Sequence, residues 1–524
     1  MTATAAIHRQ TIGDLLRRSA RRLPEKPAII CGDVHWSYAE FDRICNRLAN
    51  GLGTHGINAG DRIAVLSRNS HAFAALRYAL ARLGAVLVPI NFMLNAQEAH
   101  YILKHSGATC LAMGADMLEL GRAAAKDTDI RQTIWLPGED TATNPAPEGM
   151  LTFDDLLSDD AMEPTADITT DSLLQIIYTS GTESLPKGAL LTHGAVMWQY
   201  TACLVDASIA ETDLMVHALP LYHCAQLDAF LGPAVAVGAS NVITDKPTAE
   251  NILQLIKQFS ANSFFAPPSI WIAMMRSEAF EPAKLDHLNK GYYGASIMPV
   301  EVLKELAGYL PNLQLWNLYG QTEIAPVATV LKPHEQMSRA GSAGRASLNV
   351  ETRVVNDDME DVRPGEVGEI VHRSPQLLTG YYNDPERTAA AFKGDWFHSG
   401  DLATMDSDGY ITVVDRKKDM IKTGGENVAS RDVEEAIYTC EGVSEVAVIG
   451  LPHDYWIEAV TAIVVPKAGN TLSEEQVIAH CKEQLAGFKV PKQVFIAESL
   501  PKNPSGKILK RDLRLSYGKK TDPV

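Results

Sequence analysis

Five short stretches hold residue types whose order and spacing can do chemistry. The first, "YTSGTESLPKGALLTH" at 178–193, follows an apolar run and mixes hydroxyls, glycines and one lysine, Lys187. Small residues let backbone N–H groups and hydroxyls approach phosphate oxygens, and a lysine adds positive charge. It is not a G-x4-G-K-[ST] loop, because Lys187 follows Gly181 by six positions and precedes Gly188. An acid, Glu183, sits inside it. The second, "LWNLYGQTEIAP" at 315–326, ends an apolar run in an aromatic, a glycine, a hydroxyl and a carboxylate. Those types suit stacking on a base, polar contact and coordination of Mg2+ through oxygen. In the third, "WFHSGDLATMDSDGYITVVDRKKD", Asp401 follows a Ser-Gly turn and Arg416 ends a strand-like run. An acid so placed can hold vicinal ribose hydroxyls. The fourth, "DMIKTGGEN", is a glycine-turn loop able to approach a ligand closely, and the fifth, "LPKNPSGKILKRDLR", puts Lys507 after Pro504-Ser505-Gly506. Taken singly, each is explained as well by turns and solvated surface.

Such groups need a scaffold that fixes them. Helical and strand-like periods alternate for most of the 524 residues. "SYAEFDRICNRLANGLGTHG" predicts a helix capped by Ser37, "RIAVLS" a buried strand, "AFAALRYALARLG" a helix stopped by glycine and "AVLVPIN" a strand. The alternation recurs through "SNVIT", "ENILQLIKQFS" and "SFFAPP". It predicts parallel sheets covered by helices, with ligands at the carboxyl ends of strands. Segment 137–170, rich in Pro, Asp, Glu and Thr, reads as a surface connection between subdomains. From about Val350 the texture becomes shorter and β-rich, and after the charged connector 416–419 comes a compact α/β tail. A net charge of −17 and a pI near 5.4, with no lysine or arginine block, argue against nucleic acid or an anionic membrane as main partner. Seven scattered cysteines without metal spacing fit free thiols in a reducing cytoplasm. The start of the chain has no apolar signal core and reads as an ordinary first helix over 11–22; no 18-residue apolar run predicts a membrane span.

The ordered set of motifs resembles the adenylate-forming superfamily: acyl-CoA synthetases, firefly luciferase and peptide-synthetase adenylation domains. The T-S-G-[ST]-T-G-x-P-K-G loop, Y-G-x-T-E, [SY]-G-D, D-R-x-x-D/E with G-G-E, and the G-K tail all have counterparts here in order. The resemblance covers essentially the whole chain. It implies an α/β fold with a large, multi-subdomain N-terminal domain of parallel-rich sheets (1–415), a hinge (416–419) and a small mobile α+β C-terminal domain (420–524). It also implies ATP, Mg2+ and coenzyme A, the last as co-substrate. A carboxylate attacks the α-phosphate of ATP, pyrophosphate leaves, and a thiol then takes the acyl group and releases AMP. By that resemblance Thr179, Ser180, Gly181, Thr182 and Lys187 hold the β- and γ-phosphates. Gly294, Ala295 and Tyr319 bracket adenine, Thr322 reaches the α-phosphate, Glu323 binds Mg2+, and Asp401 and Arg416 hold ribose. Lys507 bridges the carboxylate and the α-phosphate, His223 lies beside the acyl pocket, Lys418 is the hinge, and the loop with Gly424 and Gly425 serves the pantetheine arm.

The segments expected around the acid are mostly apolar or small, with Trp198 and Trp271 as candidate walls and Ala225, Gly320 and Ile324 as further pocket residues. No arginine or lysine in them could pair a second carboxylate, which favours an apolar monocarboxylate, first a fatty acid of medium or longer chain. An aryl-CoA ligase, an enzyme loading an acyl carrier protein, and a non-catalytic nucleotide binder are the alternatives. Peripheral membrane contact and a homodimer stay open. The loop departs from its family at Glu183-Ser184, where Thr-Gly is usual. An acid facing the phosphates would repel them by about a few kcal/mol at short range, so Glu183 is expected to point away.

Overall fold

The computed structural model describes residues 7–140, 146–179, 186–294, 298–417, 419–424, 426–453, 455–503 and 506–518. The helix Tyr38–Thr54 starts where expected: the Ser37 hydroxyl accepts the Glu40 amide and the Glu40 side chain answers it. Helix His71–Leu83 ends on left-handed Gly84. Two large sheets form the N-terminal part. The seven-stranded sheet runs, from edge to edge, Leu151–Thr152, Gln132–Trp135, Cys110–Met113, Arg62–Leu66, Val86–Pro89, Leu173–Thr179 and Lys187–Thr192. All its pairs are parallel except the last, in which the chain turns back on itself after Thr179. The nine-stranded sheet has a parallel centre, which includes Ser263–Phe265, Lys290–Gly294 and Gln314–Gly320, and antiparallel edges. Strands buried on both faces read as apolar runs without alternation, which is why the sequence signals were clear.

The stretch from Glu351 to Arg416 folds as a four-stranded antiparallel sheet, and the tail as a separate sheet flanked by the helices Ser430–Tyr438 and Glu474–Gln484. The architecture is thus a mixed α/β one, with a large N-terminal domain built on parallel sheets and a smaller C-terminal domain.

One expectation is corrected. Segment 137–170 is not merely a surface connection, since Phe153, Leu156 and Ile168 in it are buried. Helix Tyr38–Thr54 straps it down through Asn46, Arg47 and Asn50, which donate to the carbonyls of Ala161, Ser158 and Asp160. Polar composition hid this because the anchoring side chains lie about a hundred residues away. No helix of the described residues is long and apolar enough to cross a membrane.

Candidate active site

Both large sheets direct strand ends into one cavity of about 510 Å3. Pro89, Thr179, Phe265, Gly294 and Gly320, which close five parallel strands, all line it. Carboxyl ends of parallel strands are where such folds bind ligands, because the chain leaves the sheet there and turns free polar groups outward. A Cβ on Gly294 would sit 2.4 Å from the Leu318 carbonyl oxygen, so only glycine lets the two strands close at this rim.

The charged lining groups come from separate parts of the chain. Lys187 Nζ donates to the Tyr381 hydroxyl at 2.8 Å and stands 3.5 Å from Glu323 Oε1. Beside Glu323, Thr322 Oγ1 lies 3.4 Å from the buried Cys224 thiol. Asp401 and Arg416 are cross-strand partners, and Arg416 Nε is 3.2 Å from Asp401 Oδ1. The Tyr319 hydroxyl donates to the other carboxylate oxygen at 2.7 Å. Burial, with the Asp401 charge, holds the Tyr319 phenol well above its usual range. His223 takes the Ala225 amide on Nδ1 at 3.1 Å, so the neutral ring carries its proton on Nε2. Burial and the nearby Lys507 ammonium pull this imidazole down to about 4.

Lys507 enters on a tight loop of the C-terminal domain. Asn503 Oδ1 accepts the Lys507 amide at 2.8 Å, and the Ser269 hydroxyl donates to the Gly506 carbonyl at 3.0 Å. Gly506 has φ of +76°, and a Cβ there would meet Pro267 at 2.4 Å. The approach of this loop to the N-terminal domain therefore requires glycine.

The structure brings Thr179, Lys187, His223, Ala225, Gly294, Tyr319, Gly320, Thr322, Glu323, Arg416 and Lys507 together at the cavity, with Asp401 directly behind two of them. Ser180, Gly181, Thr182, Ala295, Lys418 and Gly425, with Glu183 and Ser184, lie outside the described residues. Three residues expected around the acid are elsewhere. Trp198 lies on the outer face of its helix, half exposed. Trp271 is buried in the core, its Nε1 donating to the Tyr292 carbonyl and its ring edge-on to Phe264. Ile324 is wholly buried against Ala328 and Val350. Gly424, assigned to the pantetheine arm rather than to this cavity, follows the strand Ile421–Thr423 in the C-terminal sheet, its amide bonded to the Trp456 carbonyl. Asp228 turns into the core, where Arg77, Gln175 and Tyr200 hold it. Sequence reasoning missed Tyr381, Gln321 and Asn503. The "TGYYNDPERT" stretch around Tyr381 carries an aromatic pair and a helix start, but nothing local marks it as part of a site.

The apolar lining includes Ala225, Ala229, Phe230, Phe265, Leu318 and Val327. Phe230 stacks on Phe265 with centroids 4.3 Å apart, and Tyr292 and Trp316 stack behind them. Two polar atoms at the cavity wall, Thr179 Oγ1 and Gln321 Nε2, are buried without a hydrogen-bond partner among the described residues. Such orphaned donors fit a polyanionic ligand that would accept from them. For a metal, Glu323 offers one carboxylate, and no group of three or more metal-ligating side chains occurs among the described residues. That donor set fits Mg2+, which takes one or two carboxylates and completes its shell with substrate phosphates and water.

Comparison with known proteins agrees. The profile of the AMP-binding enzyme family matches residues 16–382, and that of the AMP-binding enzyme C-terminal domain matches 432–507. A feruloyl-CoA synthase of Amycolatopsis is 35% identical over 97% of this chain and 99% of its own. The long-chain-fatty-acid–CoA ligase FadD13 of Mycobacterium tuberculosis is 36% identical over the same shares. Among solved structures, ATP-bound MatB from Rhodopseudomonas palustris superposes with a TM-score of 0.87 at 28% identity, covering 98% of this chain and all of that one. The chain belongs to the AMP-binding enzyme family, as an AMP-forming ligase that joins an acyl or aryl acid to coenzyme A using ATP and Mg2+.

Proposed function

We propose that the acid is a compact, apolar monocarboxylate of the aryl or arylalkyl class. The observation that carries this is the aromatic wall formed by the stacked Phe230 and Phe265, which line the cavity together with Ala225, Ala229, Leu318 and Val327. Flat rings gain by offset or edge contact with such a wall, about 0.5–1.5 kcal/mol beyond burial. Relatives named feruloyl-CoA synthase and indoleacetate–CoA ligase support it at 35% and 32% identity. A medium-chain fatty acid is the second reading, favoured by the aliphatic side chains Leu318 and Val327 in the lining and by the 36% identical fatty-acid ligase.

In the proposed chemistry the carboxylate attacks the α-phosphorus of ATP and displaces pyrophosphate. Lys507 neutralises charge between the carboxylate and the α-phosphate, while Thr322 donates to the phosphate. Thr179 and Lys187 take the departing pyrophosphate. Asp401 and Arg416 hold the ribose, and Gly294 and Tyr319 flank the base. Glu323 would hold Mg2+, which when bound would supply charge neutralisation on the phosphate oxygens. Neutral His223 orients the acid without competing for its charge. Residues 1–415 and 420–524 are the two domains, and rotation at 416–419 withdraws Lys507 and brings the Lys422–Glu426 loop to the thiol.

The test is acid-dependent ATP–pyrophosphate exchange across ferulate, indoleacetate, benzoate and straight-chain acids from six to sixteen carbons. An aryl or arylalkyl acid is expected to give the highest kcat/KM, with a fall beyond medium chain length. A clear preference for sixteen carbons would contradict the aryl reading.

A further inference from the structure

Lys187 and Glu323 have opposite charges and face one cavity, yet they do not close into a direct hydrogen-bonded pair. Lys187 Nζ and Glu323 Oε1 are 3.5 Å apart, and the Tyr381 hydroxyl bonds to both. It accepts from Lys187 Nζ at 2.8 Å and donates to Glu323 Oε1 at 3.0 Å. The Lys187 ammonium also lies 4.2 Å from the centroid of the same ring. A phenol can do this because it is donor and acceptor at one oxygen.

The backbone fixes the phenol from both sides. Residues 379–382 run antiparallel to the strand Lys187–Thr192. Thr379 donates to the Leu190 carbonyl at 3.0 Å, Leu190 to the Gly380 carbonyl at 3.0 Å, and Tyr382 to the Gly188 carbonyl at 2.8 Å. Just before, the Leu378 amide donates to the Glu323 carbonyl at 2.8 Å. One short strap thus spans both residues that Tyr381 joins, and the Thr388 hydroxyl accepts the Tyr381 amide at 2.9 Å.

We propose that Tyr381 is a positioning residue that keeps Lys187 and Glu323 apart and oriented, so that one can meet polyphosphate and the other Mg2+. Without the hydroxyl the two charges can collapse into a direct pair, which Mg2+-nucleotide would have to break. Hydrogen-bonded partners of a ligating carboxylate fix its direction, and their loss costs about ten- to a hundredfold in metal affinity. This inference rests on the reading of the cavity as an ATP site.

The experiment is calorimetric titration of the full chain with ATP, once in EDTA and once with saturating Mg2+. It compares the wild type with Tyr381→Phe, Tyr382→Phe, Glu323→Gln and the double variant Tyr381→Phe/Glu323→Gln. The gain in ATP affinity on adding Mg2+ is expected to shrink about tenfold in Tyr381→Phe and to stay unchanged in Tyr382→Phe. In the Glu323→Gln background, removing the hydroxyl should have no further effect on that gain. An unchanged Mg2+ gain in Tyr381→Phe overturns the proposal. So does equal weakening with and without Mg2+ alongside a lowered Tm, which would mark a merely structural tyrosine. A wild type that binds no ATP in either buffer would instead refute the nucleotide-site reading itself.

Discussion

His223 meets the cavity with Nδ1 committed to a backbone amide, and its lowered pKa keeps the ring neutral where most enzymes work. Four further imidazoles, His71, His193, His217 and His372, are buried and pushed down to about 3 or 4 by desolvation. His193 shows the cost of protonating them, because its Nδ1 accepts the Ile12 amide and could not also carry a proton. An unfolded histidine titrates near 6.5, so from there downward the unfolded chain binds protons that the native one refuses. Stability present above pH 6.5 is therefore lost as pH falls toward 4, on the order of 2 kcal/mol per buried imidazole by pH 5. Asp245, pushed up to about 6 by burial and Glu139, works in the opposite direction and offsets part of this, as do the raised Asp228 and Glu435. The expected outcome in scanning calorimetry is a Tm that drops steeply between pH 6.5 and 5. A flat Tm to pH 4.5 would refute it. At this scale the sequence made legible the residues whose neighbours form a motif, such as Lys507, Glu323 and Asp401. It misplaced Trp198 and Trp271, because which side of a helix faces a cavity is decided by packing partners far along the chain.

The loop that carries Lys507 is an element in its own right. It closes through Asn503, and its Gly506 meets Pro267 and Ser269 of the N-terminal domain. Gly506→Ala would strain the positive φ and push the loop off that landing. It should slow adenylation at least about tenfold, the effect of a small displacement of an oriented catalytic group. Thioester formation from a supplied acyl-adenylate should change little, since that step is proposed to proceed with Lys507 withdrawn. Pyrophosphate exchange and thioester formation, measured separately, check this, and equal loss in both would contradict it. The strand–loop order around this element was legible because glycine, proline and lysine punctuate it. The strap at 378–382 was not, since its meaning comes from pairing with a strand almost two hundred residues earlier.

Over the whole molecule, two sheets of different order bring five strand ends to a common cavity, and a separate domain supplies the lysine that faces them. The alternation of helix and strand made this layout legible, while the aromatic wall of the cavity, proposed to hold the acid, depended on stacking between residues far apart in the chain. What unites these features is one chemical event, the bond between a carboxylate oxygen and the α-phosphorus of ATP. When the thiol later attacks the carbonyl carbon, that oxygen departs with AMP. The most direct measurement is mass spectrometry of AMP after turnover with an acid carrying 18O in both carboxylate oxygens, ATP, Mg2+ and coenzyme A. One 18O atom in each AMP formed is the predicted result. Unlabelled AMP, or label appearing in inorganic phosphate with ADP as the nucleotide product, would contradict it.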